Sequence, residues 1–96
     1  MEEKIFNQIM EAYTKYAATH DELDTYFRCK TKAKQLEYDY IEAMDMSLSG
    51  MDVSKAYIES TRYAAQVYWN ILAVKFNKPQ RTVSFMKFDL EEFNEL

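Results

Sequence analysis

Apolar side chains recur along the first half of this chain in alternating steps of three and four residues. Counted from Phe6, the row runs through Ile9, Tyr13, Tyr16, His20, Leu23, Phe27, Lys30, Lys34, Glu37, Ile41, Met44 and Leu48. That is the period of a helix packing a seam against another helix. Nothing before residue 50 breaks it, because the only glycine is Gly50 and the only proline is Pro79. The pattern predicts a long helical arm over 3–48, which would reach roughly 69 Å if continuous. A competing signal lies at 19–22. Thr19 is followed three residues later by Glu22, the capping-box pattern that satisfies free amides at a new helix start. We favour a break there, giving helices over 3–18, 21–48 and 52–77, because an unbroken arm would outrun its partner helix and leave seam uncovered.

Three charged residues interrupt the row: Lys30, Lys34 and Glu37. Beside it runs a second row, Tyr26, Cys29, Ala33, Leu36, Tyr40 and Met44. A buried face that rotates toward the second row would leave the three charges at its edge, stems on apolar surface and heads in water. The alternative is a charged recognition patch for a partner.

Leu48-Ser49-Gly50-Met51-Asp52 reads as stop, turn and start, with Gly50 free to take a left-handed conformation and Asp52 a good N-cap. The helix over 52–77 is apolar around most of its circumference. Val53, Tyr57, Ala64, Val67, Ile71 and Val74 form one row, Ile58, Ala65, Tyr68, Leu72 and Phe76 another, and Trp69 stands at the border. Such a helix packs on two sides and sits at the centre of a bundle. Pro79 ends it. The sequence therefore predicts an all-α fold, a helical hairpin or three-helix bundle over 1–78, and a tail over 79–96 that docks on the bundle or on a partner. Within the tail, Val83–Phe88 fits either a strand pairing with a second copy or with a target, or helical spacing, while Asp89 and Glu92 suggest a short terminal helix.

Composition narrows the function. Apolar residues make up 48% and aromatics 16% of 96 residues, too much for a disordered chain. A domain this small is marginal as a monomer, so homo-oligomerisation, as a dimer, is expected. A lone cysteine, Cys29, and the lack of a hydrophobic leader or of an apolar stretch long enough to span a bilayer point to a cytoplasmic protein without a membrane segment.

Reactive chemistry has little to work with. His20 and Cys29 would point to opposite sides of one helix, a single glycine cannot cradle phosphate, and no glutamate-x-x-histidine pair exists for a di-metal site. Neither cofactor nor metal is expected, and His20 and Cys29 read as a cap-region residue and a small core residue. Arg28, Lys30, Lys32 and Lys34 divide between two helix faces and acidic residues follow at once, which argues against direct nucleic-acid binding. The expectation is a non-enzymatic protein-binding module, an inhibitor, adaptor or regulator of a larger target. A lysine excess over arginine with abundant tyrosine suggests an AT-rich source such as a phage or mobile element. Candidate partner-binding residues are Lys30, Lys34, Glu37, Tyr68, Trp69, Phe85, Phe88 and Phe93, the aromatics because such anchors dominate interface energetics. The alternative function is a helical oligomer binding a small ligand, such as a nucleotide, between subunits.

Overall fold

In a computed structural model describing residues 1–96, the chain forms four α-helices and no strand. They are α1 (Glu2–Thr19), α2 (Glu22–Leu48), α3 (Lys55–Lys75) and α4 (Leu90–Glu95), with one 3-10 turn at Phe85–Lys87. The all-α bundle expected from the periodicity is present.

The arm is broken, and the residue that breaks it is Asp21 rather than Thr19. Its carboxylate accepts from the Asp24 N–H at 2.8 Å and starts α2. The Thr19 hydroxyl turns back to the Tyr16 carbonyl and to His20 Nδ1, leaving nothing to cap forward. His20 closes α1 in an extended conformation and stacks its ring on Tyr16 at 3.7 Å. Arg28 lies over Tyr16 at 4.4 Å and makes no ion pair with Asp24, one turn before it.

A Schellman closure ends α2: the Met51 N–H reaches the Met46 carbonyl and the Gly50 N–H the Ser47 carbonyl, with Gly50 at φ +88°. The next helix begins three residues later than its sequence pattern suggests. Ser54, not Asp52, accepts from the Tyr57 N–H, and α3 covers Lys55–Lys75 rather than 52–77. Asn77, at φ +55°, turns the chain out of α3 ahead of Pro79.

The α2–α3 hairpin holds most of the core, including Cys29, Ala33, Tyr40, Ala43, Ile58, Ala65, Val67, Ile71 and Leu72. Along α2 the buried positions are Thr25, Cys29, Ala33, Glu37, Tyr40 and Ala43, whose five steps average the 3.6 residues of a straight helix. The heptad row drifts from such a helix by about 20° per seven residues. For that reason the second row supplies the interior at Cys29 and Ala33 while Lys30 and Lys34 fall half-buried beside it. Glu37 does not follow them to the edge. It is 1% exposed.

By contrast, α1 is lightly held, with Ile9 its only buried residue. The tail lies on the hairpin, where Val83 and Phe93 are buried, and no part of it pairs as a strand. Asp89 caps α4 by accepting from the Glu91 and Glu92 N–H groups, the short terminal helix its spacing suggests.

Candidate functional site

The tail is fastened to α2 and α3 by one buried polar network centred on Glu37. Trp69 Nε1 donates to Glu37 Oε1 at 2.7 Å, Arg81 Nε donates to the same oxygen at 2.8 Å, and Arg81 Nη2 donates to Oε2 at 2.7 Å. Both carboxylate oxygens are thus engaged in a two-pronged arginine contact, with the indole as a third donor. Helix geometry places the partners. Glu37 sits mid-α2 on the interior stripe, Trp69 projects from α3, and Arg81 reaches in from the extended segment after Pro79. The glutamate's hydrogen bonds hold the Arg81 guanidinium above its ordinary pKa against burial, which pulls the other way. Arg81 also lies over the Trp69 and Phe93 rings and reaches Glu92 Oε1 at 3.3 Å on the exposed side.

A second fastening uses Gln66 of α3. Its Nε2 donates to the Arg81 carbonyl at 2.8 Å and its Oε1 accepts from the Val83 N–H at 2.9 Å. One side-chain amide thereby stands in for the neighbouring strand that this extended stretch lacks.

The eight sequence-derived candidates divide sharply. Glu37, Trp69 and Phe93 meet at the tail lock and are buried within the chain itself, which takes them off the surface. Lys34 remains at the margin with its ammonium 5.0 Å from the Phe93 ring centre, while Lys30 stands 5.8 Å from that of Tyr26. Phe85 is half-buried against the core, and Phe88 packs on Phe93 at 5.4 Å. Tyr68 lies apart from all of them, half-buried beside Tyr13, Tyr16, Arg28 and Cys29, where only about 10 Å³ of space remains and no ligand fits. Burial pushes the Tyr68 hydroxyl and the Cys29 thiol up from their ordinary values, with Arg28 opposing the shift in each case.

Arg81 and Gln66 were absent from the candidate residues. A carboxylate on an apolar row of α2, next to Leu36 of the second row, demands a cation if it is buried. The tail offers only Arg81 and Lys87 as cations, so the pairing had a signal.

Beside the lock, the tail and α2 enclose an open cleft of about 510 Å³ whose walls include Tyr26, Lys30, Lys78, Arg81 and Lys87. A separate apolar groove of about 280 Å³ runs between α1 and α3, lined by Phe6, Met10, Tyr63, Val67, Ile71 and Val74 among others. No protein-family model, curated protein or solved structure matches this chain.

Proposed function

We propose that this chain is a non-enzymatic interaction module that pairs with a second copy of itself across the α1–α3 groove and, so assembled, binds a larger protein target as an inhibitor, adaptor or regulator. Uncovered surface is the observation that carries the reading. The chain exposes 6650 Å² and buries 16 of its 96 residues. A compact monomer of 11.5 kDa exposes about 5,800 Å². The excess, roughly 850 Å², is close to the area each partner contributes to a standard interface, about 800 Å². Its radius of gyration, 13.9 Å, likewise exceeds the roughly 12.5 Å of a compact chain this long.

The groove is where a second copy is most needed. Phe6 is 42% and Val74 74% exposed on its rims, and α1 contributes a single buried residue to its own fold. The state of the two reactive side chains fits a non-catalytic role. His20 Nδ1 lies 3.0 Å from both the Tyr16 carbonyl and the Thr19 hydroxyl, and burial keeps the Cys29 thiol protonated.

Sedimentation equilibrium at tens of micromolar tests the reading. The wild type should sediment as a dimer, and Phe6→Glu with Val74→Glu should sediment as a monomer with unchanged helical circular dichroism. A monomeric wild type, or a dimer indifferent to both substitutions, would overturn it.

A further inference from the structure

The cleft between α2 and the tail concentrates positive charge on a chain whose net charge is −4. Lys30, Lys78 and Lys87 line it, and none of their three ammonium groups is ion-paired or hydrogen-bonded within the chain. Two of them converge on one ring, since the Lys30 and Lys78 ammoniums lie 5.8 and 4.9 Å from the centre of Tyr26. Tyr26 itself is held in place edge-on by Phe27 and Phe76 at 5.3 and 5.7 Å.

Like charges lining one open cleft repel, and an anion held between them relieves that repulsion. One carboxylate, Glu92, lines the cleft with them, and its Oε1 is shared with Arg81. Glu37 is closed by Arg81 and Trp69. The hydroxyls of Thr82 and Ser84 also line the cleft and make no hydrogen bond within the chain, so they are free to donate. A single carboxylate would answer one ammonium and leave two. A phosphate dianion, with several acceptor oxygens, answers the set, and lysine serves phosphate as a point charge. The volume of about 510 Å³ matches a small organic ligand and exceeds what a bare ion needs.

We propose that this cleft binds a phosphorylated small molecule, with the phosphate on Lys30, Lys78 and Lys87 and the organic part against Tyr26. The site is complete within one chain and is independent of pairing between copies.

Trp69, the only tryptophan, lines the cleft and reports occupancy through its fluorescence. The wild-type chain is titrated with adenosine, adenosine monophosphate, adenosine triphosphate and inorganic phosphate, and separately with vesicles of phosphatidylcholine alone or with phosphatidic acid. Saturable quenching by a phosphorylated probe and none by adenosine is the expected result. Response to the phosphatidic acid vesicles alone would assign the phosphate to a lipid headgroup. Lys30→Ala with Lys78→Ala should weaken binding about tenfold or more, as expected for losing charge-assisted contacts. Lys32→Ala with Lys55→Ala, both exposed and outside the cleft, should leave it unchanged. No response to any phosphorylated probe, or equal losses in the two double variants, would overturn the proposal. Calorimetric titration of the same set guards against a silent fluorophore.

Discussion

Arg81 grips both carboxylate oxygens of Glu37 from 44 residues away in sequence, at 2.8 and 2.7 Å. The pair is unequally buried, with 14% of the arginine side chain exposed and 2% of the glutamate. That inequality decides which partner is harder to lose.

Removing the cation strands a buried charge, so Arg81→Met should cost about 3 kcal/mol of unfolding free energy. Glu37→Gln leaves an arginine that still reaches Glu92 and water, and should cost about half as much. Trp69→Phe, which removes one neutral donor, should cost about 1 kcal/mol beyond its small packing change. Urea denaturation ranks the three, and a smaller loss for Arg81→Met than for Glu37→Gln would contradict the account.

Gln66 has a distinct duty, to satisfy backbone groups of the tail. Gln66→Met keeps the shape but leaves the Arg81 carbonyl and the Val83 N–H without partners, at about 1–3 kcal/mol. The loss should be local. Limited proteolysis ought to cut within 79–84 faster in the variant, while the helices resist as before.

Much of this was legible in the sequence, and the misses have physical causes. Gly50 and Asp89 announced their roles because each acts on neighbours within a few residues. Thr19 misled because Asp21, two positions on, offers a carboxylate to the same helix start, and the threonine hydroxyl found a carbonyl behind it. Lys30, Lys34 and Glu37 looked alike on a heptad row, and a straight helix sets Lys30 and Glu37 only about 20° apart; what singles out Glu37 is its set of donors, Trp69 and Arg81. The partner that makes Glu37's burial tolerable lies in a segment without periodicity.

Backbone torsion alone should make Gly50→Ala costly. An added Cβ meets nothing within 4 Å, but φ is +88°. About 1 kcal/mol is expected. Asn77→Gly, at φ +55°, should be neutral or slightly stabilising by the same reasoning. Thermal melts of the two variants should shift in opposite directions or leave Asn77→Gly unmoved.

Caps give a further paired test. Asp21→Ala should cost about 1 kcal/mol and Thr19→Ala much less, because only the aspartate holds an α2 amide. Equal costs would return the cap to Thr19.

Alkaline pH should destabilise the protein in two stages. Burial raises the folded pKa of the Cys29 thiol above its ordinary 9.0, so the unfolded chain releases that proton first and stability falls as pH climbs past 9. Tyr13 and Tyr68, raised from 10.0 chiefly by burial, extend the loss beyond pH 10. Below these ordinary values the contributions are complete. Cys29→Ala should flatten the first stage and lessen the second, because burial and then the Cys29 thiolate raise both tyrosines, as read by urea midpoints between pH 8 and 11.

During translation, Glu37 leaves the peptidyl centre 44 residues ahead of its counter-ion, a delay of roughly two to nine seconds at about 5–20 residues per second. Until Arg81 is made, the Glu37 carboxylate has no guanidinium from the tail to pair with. A chain ending short of residue 81 would leave Glu37 with the Trp69 indole as its one remaining donor from this network, and should be less stable for want of the cation.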